Sequence, residues 1–461
     1  MPITSRPALL ARLGLDRPEL RAWAMYDWAI SAVQTTIMVA VFPAYFGEVA
    51  KDQLGEGGAS QAVSDTHIFI ALIVAVASPV LGALSDIAAA KKRMLAIAMV
   101  PGVLAVAAMF GVLPGEVTEA RTLFAVALIS AAACTIFYEA LLPHIAPPGQ
   151  IDRVSSAGYA LGYLGGGILL ALNLAWILAP GMFGLPDGES LSAREATLPV
   201  RLALVSVAVW WVVFSIPLFR LVPEPPRVRE PDEGERVNLI VTSFKRIGET
   251  YRELRRFKHA FLMLVAFMIY NDGIGTIQRL ASVYGTDQGI GRTHLIGAFL
   301  LVQFLGVPFA FLFGALAGKI GAKRGVMLGL SVFLAISIFA AFVQTAWHFW
   351  LLAFLTGLVQ GGTQALSRSL FASMIPAHKS GEFFGLYSVF AKFASIFGPL
   401  LFSFSSRTTG KSELAIMSIA MFFVVGMLVL SRVNVDEGRR IAREAEQGVR
   451  LSESQTSHVR Q

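Results

Sequence analysis

Twelve separate stretches of this 461-residue chain are apolar over about twenty residues each, and nothing constrains its fold more. At 1.5 Å per residue, a run of that length in helical form matches the hydrocarbon thickness of a bilayer, and a helix satisfies its own backbone polar groups there. The runs lie at 22–46, 66–86, 93–113, 120–142, 155–179 and 200–221, then at 259–284, 293–317, 324–345, 347–373, 383–405 and 411–433. Hydrophobic residues make up 55% of the chain and charged ones 15%, well under the roughly 25% of a soluble domain. The sequence therefore predicts an all-α, multi-pass membrane protein.

Loop charges predict the orientation. Lys91, Lys92 and Arg93 follow the second run, Lys319, Lys323 and Arg324 follow the eighth, and Arg432, Arg439, Arg440 and Arg443 follow the last. Glu48, Asp52, Glu56 and Asp65 dominate the first loop, and Asp187, Glu189 and Glu195 the fifth. Because Lys and Arg resist translocation, both termini are expected in the cytoplasm. The net charge of +7 has the same origin, and no nucleic-acid partner is expected. Arg6, Arg12, Arg17 and Arg21 precede a first run too long for a signal-peptide core, so that run is expected to be retained. The single Cys134 excludes an internal disulfide and reads as a small buried hydrophobe.

Six ionisable side chains interrupt the apolar runs: Asp27, Glu139, Asp272, Arg279, Arg368 and Lys392. Exposed to lipid they would cost about 2.5–3.5 kcal/mol each, so they are expected to face protein or water. Helical spacing puts further polar groups beside them. Asp27 shares a face with Ser31, Gln34 and Thr35, Asp272 with Asn271 and Arg279, and Arg368 with Gln360, Thr363, Gln364 and Ser367. Gly158, Gly162 and Gly166 form a stripe of small residues suited to close helix contact. Tyr159 and Tyr163 read as core or cavity residues. Trp23, Trp28, Trp210, Trp211, Trp347 and Trp350, near run ends, read as interfacial anchors.

The chain also repeats itself. Gly82-Ala-Leu-Ser-Asp86 with its basic turn is echoed by Gly314-Ala-Leu-Ala-Gly318 with Lys319, Lys323 and Arg324. Pro147-Pro148 before Gly158 is matched by Pro376 before Gly385, and Tyr26-Asp27 by Asn271-Asp272. Two six-helix halves are therefore expected, at 1–221 and 259–433, with a linker at 222–258 and a tail at 434–461 expected to be largely disordered. Within the linker, Ile240, Phe244, Ile247, Tyr251 and Leu254 recur at helical spacing among Lys and Arg, the pattern of an amphipathic surface helix.

The Gly-x-x-x-Asp and basic turn resembles the signature loop of the major facilitator superfamily, with Gly318 in the second copy where Asp is usual. More narrowly, Trp23-Ala-Met-Tyr26-Asp27-Trp28, Gly158-Tyr-Ala-Leu-Gly-Tyr-Leu-Gly-Gly166, Tyr270-Asn-Asp-Gly273, Gly361-Gly-Thr-Gln-Ala-Leu-Ser-Arg368 and Phe383-Phe-Gly-Leu-Tyr387 through Pro399 resemble the autophagy-related vacuolar effluxers. Ile30 stands where that family usually has Asn. The resemblance implies the major facilitator fold, a central cavity lined by the first, fourth, seventh and tenth helices, and movement of amino acids, chiefly neutral ones. A bacterial-type member is expected in the inner membrane, as a monomer.

On this reading Asp27, Gln34, Asn271, Asp272, Arg279, Gln360, Gln364 and Lys392 are candidates for substrate binding or coupling, with Asp272 foremost. Asp27 lies six residues beyond Arg21 and reads equally as a structural pair. Asp86, Lys91, Lys92, Arg93, Glu139 and Arg368 are candidates for a cytoplasmic gate, with Glu139 and Arg368, at equivalent positions of the two halves, expected to close it as a salt bridge. Carboxylates in a low-dielectric cavity can exchange protons near neutral pH, so Asp27, Glu139 and Asp272 are the candidates for proton coupling. The seven histidines lack metal-ligand spacing, no phosphate-cradling loop occurs, and neither enzyme chemistry nor a cofactor is expected. The expectation is a secondary transporter of a small polar solute. The alternatives are a lipid or glycolipid flippase of the same fold, a non-transporting sensor, or a membrane-embedded enzyme.

Overall fold

A computed structural model describes residues 6–55, 58–147, 149–188, 190–226, 256–393, 397–409 and 412–459. Glu56, Pro148, Glu189, Ser395 and the amphipathic segment of the linker lie outside the described residues. Among the described residues all regular structure is helical, and eleven helices are long and apolar enough to cross a membrane.

The first half supplies six spans: Pro18–Leu54, Gln61–Ile87, Lys91–Gly111, Val117–Ile145, Ile151–Leu178 and Leu198–Leu221. The second supplies the seventh to tenth, Lys258–Ala281, Thr293–Ile320, Ala322–Ala340 and Ala346–Ala372, and the twelfth, Leu414–Ser431. In the expected eleventh span the described residues form the helices Ser380–Phe393 and Phe397–Thr409, on either side of residues outside the described ones. Large apolar residues such as Val76, Ile97, Leu104, Leu312 and Leu400 stay on the outside, as lipid-facing residues must.

The first span is longer than its apolar run. It continues as one helix to Leu54 through a π-helical stretch, Val33–Ala40. Such widened turns recur at functional sites, and hydropathy carries no signal for them. The tail, expected to be disordered, is a helix, Val435–Val459. It docks through Gly438 against Met374, and the Ala377 N–H donates to Glu446 Oε1 at 2.9 Å.

Packing repeats with the sequence. The first span packs on the fifth and sixth as the seventh packs on the helix Ser380–Phe393 and on the twelfth, and the third packs on the fourth as the ninth on the tenth. The halves meet through glycines. Gly82 and Gly381 bring the second span against the eleventh, where a Cβ on either would strike backbone. The equivalent contact joins the fifth span to the eighth, where a Cβ on Gly314 would lie 2.6 Å from Ser156 Cβ.

Several tryptophans depart from the anchor reading. Trp23 and Trp211 are wholly buried, while Trp347 is exposed. Trp23 stacks on Tyr138 with ring centroids 4.5 Å apart and donates to the Tyr138 carbonyl at 3.0 Å. The sixth-span Trp211 fills the space beside Gly102 and reaches the Tyr26 hydroxyl at 3.4 Å.

Candidate functional site

The sequence placed six charges inside the membrane; the structure gathers them into two groups. One group lies at the face that holds both termini. Arg368 of the tenth span is 1% exposed, and its guanidinium donates twice to Asp27 Oδ2 of the first span, at 3.2 Å each. It also donates to Ser155 Oγ and to the Ser155 carbonyl of the fifth span, both at 2.9 Å. Glu139 of the fourth span lies farther off, with Oε1 4.0 Å from Nη1. Tyr138 completes the cluster by donating to Asp27 Oδ2 at 2.7 Å.

Three rings enclose the same cation: its central carbon lies 4.4 Å from the Tyr159 ring centre, 4.9 Å from that of Trp23 and 5.6 Å from that of Tyr138. Desolvating a cation is costly unless charges, acceptors and ring faces replace its water, and here all three do. The glycine stripe makes the approach possible. A Cβ on Gly158 would lie 2.5 Å from Asp27 Oδ2 and 3.0 Å from Arg368 Nη2, and one on Gly162 would lie 2.6 Å from Ser31 Oγ. A Cβ on Gly166 would meet Thr35, whose hydroxyl bonds the Gly166 carbonyl at 3.3 Å.

Two expectations change here. Asp27 does not pair with Arg21, whose guanidinium instead bonds the Leu15 and Asp16 carbonyls. Nor is Glu139 the principal partner of Arg368; Asp27 is. Trp23, Tyr138, Ser155 and Tyr159 complete the cluster and were not singled out for it. Ser155 and Tyr159 stand four residues apart and so share a helical face, a signal that was available.

Asp86 forms a separate contact on the same face. It is buried against Lys91, and its two oxygens accept from the Gly381 and Glu382 N–H groups at 3.1 and 2.9 Å, capping the helix Ser380–Phe393. Lys92 turns elsewhere, to Glu224 through its backbone and to the Val222 carbonyl through its ammonium. Arg93 is exposed. The six gate candidates are thus two clusters and two outlying residues, not one network.

The second group of charges lies farther along the membrane-crossing helices. Asp272 is 1% exposed; Oδ2 accepts from the Gly398 N–H at 2.9 Å, and Oδ1 is buried with no hydrogen bond among the described residues. Arg279 reaches back to 4.0 Å from Oδ1 and keeps 42% of its side chain exposed. Lys392 of the eleventh span and His67 of the second stand close enough to Arg279 for their charges to act on one another. Asn271 accepts from Gln364 at 2.9 Å, tying the seventh span to the tenth, and Gln360 lies against Tyr163. Gln34 is exposed within the π-helical stretch and joins neither group.

A pocket of about 470 Å³ opens beside Asp272, lined by Met268, Phe397, Leu400, Phe404 and Phe422. It lies among spans seven, eleven and twelve, where Leu400 and Phe404 face outward.

The family model described as "Vacuole effluxer Atg22 like" matches residues 69–443. An uncharacterized MFS-type transporter, YxiO of Bacillus subtilis, is 34% identical over 418 residues, spanning 89% of this chain and 94% of the relative. Autophagy-related protein 22-1 of Penicillium rubens is 26% identical over 313 residues, 63% of this chain and 50% of the relative, so the chain spans about half the length of such fungal proteins. The proton:xylose symporter XylE superposes with a TM-score of 0.65 at 14% identity, covering 92% of this chain and 96% of that one. The human organic anion transporter MFSD10 gives 0.62 at 12% identity, covering 91% and 99%. At these identities the two structures establish the fold alone.

Proposed function

Since the chain belongs to the Atg22-like vacuole effluxer family, whose fold here is that of the major facilitators, we propose that it moves a small polar solute by alternating access between halves 1–221 and 259–433. It is a transporter of the MFS type, not an enzyme. The observation that carries the mechanism is the Arg368–Asp27 pair, a buried ion pair between the tenth span and the first. Alternating access needs an interface with two discrete states. A desolvated pair with all its partners supplies one of them, and separation into a water-filled cavity supplies the other. Asp86 on the Ser380 helix start is a second bolt across the same interface. We assign this face to the cytoplasm, which makes the state described here closed to the inside.

A neutral amino acid is the leading substrate, and protons are the leading coupling ion. The Asp272–Arg279 pair is wide at 4.0 Å, with Arg279 half exposed, so a carboxylate and an ammonium on one small molecule have matching groups to meet. Glu139, set back from Arg368, and Asp272 are the proton-exchanging candidates. Calorimetry with leucine and with its decarboxylated amine tests the substrate class: leucine binds and the amine does not. Tighter binding of the amine would overturn it. One observation favours a lipid-exporting reading instead, the apolar pocket beside Asp272, and binding of lipid with none of either leucine or amine would select it.

A further inference from the structure

On the face that holds the termini, a notch of about 510 Å³ lies between the turn joining spans eight and nine and the junction of span twelve with the tail helix. That volume falls within the about 300–1,000 Å³ typical of small-molecule sites. Four cationic side chains line it, Lys323, Arg324, Arg432 and Arg439, against one carboxylate, Asp436. Span eight ends at Ile320, span nine begins at Ala322 and span twelve ends at Ser431, so the notch sits where three membrane-crossing helices meet water. That is the depth of the lipid headgroups.

The cations are arranged for something other than one another. Lys323 donates to the Ser431 and Val433 carbonyls, both at 2.8 Å, and so closes the end of span twelve. Arg439 uses its Nε on Ser373 Oγ at 3.2 Å. Arg324 and Arg432 are exposed, and no salt bridge among the described residues involves Arg324, Arg432 or Arg439. Gly321, at the N-cap of span nine, supplies no side-chain cap, yet the first turn carries Lys323 and Arg324. A helix start is the positive end of the macrodipole, so two cations there are placed against the field unless an anion shares the site.

We propose that this notch holds the phosphate headgroup of an anionic phospholipid. The charge chemistry alone would also accept free phosphate; the depth of the notch selects a phosphate tethered in the bilayer. Occupancy would join the turn before span nine to the end of span twelve and the start of the tail helix, which rests on Met374 beside the Arg368-bearing span.

The test uses the full chain in an uncharged detergent, titrated separately with phosphatidylglycerol, phosphatidylcholine and inorganic phosphate, with bound copies counted by native mass spectrometry. The parent is expected to retain phosphatidylglycerol over phosphatidylcholine and to keep it in the presence of inorganic phosphate. At roughly fivefold per charge, Arg324→Gln with Arg432→Gln and Arg439→Gln should weaken retention on the order of a hundredfold. Arg440→Gln with Arg443→Gln, outside the notch, should leave it unchanged. Should the triple variant fail to fold, Arg432→Gln alone, at an exposed position, should weaken retention about fivefold. Parent-like retention in the folded triple variant, or in Arg432→Gln, overturns the proposal. So does displacement of the lipid by inorganic phosphate, which would mark a free-anion site.

Discussion

Asp27 and Asp272 occupy equivalent places in the two sequence repeats, and the structure uses them in opposite ways. Asp27 reaches across to the other half and holds Arg368 with two hydrogen bonds, amid Tyr138, Trp23, Tyr159 and Ser155. Asp272 stays within its own half, accepts from the Gly398 N–H with one oxygen and, among the described residues, offers the other to an arginine 4.0 Å away. On the function we propose, the first site holds a conformation and the second retains capacity to bind. Repetition therefore fixed where a carboxylate stands, and the neighbours fixed what it can do.

The comparison breaks most readily at Arg368. Arg368→Ala leaves Asp27 and Glu139 buried without their cation and should cost about 3–5 kcal/mol, read as lost thermal stability in detergent. A loss no larger than that of Asp272→Asn would erase the distinction. Next comes Gly158→Ala, whose Cβ would press on Asp27 Oδ2 and Arg368 Nη2; overpacking of this kind costs about 1–3 kcal/mol. Asp272→Asn keeps an acceptor for the Gly398 N–H and gives up charge assistance, about 1 kcal/mol, so the protein stays folded while transport is abolished or uncoupled. Uptake into proteoliposomes unchanged with and without a pH gradient would remove Asp272 from the mechanism. Gly275→Ala should do least. The atoms nearest its Cβ would be those of the Arg279 guanidinium, from 3.2 Å, the far end of a long, half-exposed side chain. A stability loss matching that of Gly158→Ala would show the second site to be as rigid as the first.

The spans were legible because hydropathy reports burial in lipid directly, and the Gly158, Gly162 and Gly166 stripe because close helix contact needs small residues. Asp86 was legible as a charge beside the basic turn, though not as a helix cap, since the N–H groups it caps lie 295 and 296 residues away. The Asp27–Arg368 pair spans 341 residues and leaves no local trace. Trp23 misled because an indole near a run end looks interfacial, whereas its ring was needed against Tyr138 and the guanidinium.

If the Arg368 cluster holds the two halves together at the face bearing the termini, removing its cation must let them part there. Nitroxides at Arg220→Cys and Lys319→Cys, exposed ends of spans six and eight, in a Cys134→Ser background, report the separation of the halves by pulsed electron resonance. The parent should give a short, narrow distance distribution, and Arg368→Gln should add a second population at longer distance while Asp272→Asn does not. An Arg368→Gln distribution superimposable on that of the parent would show that the halves are held together without this cluster.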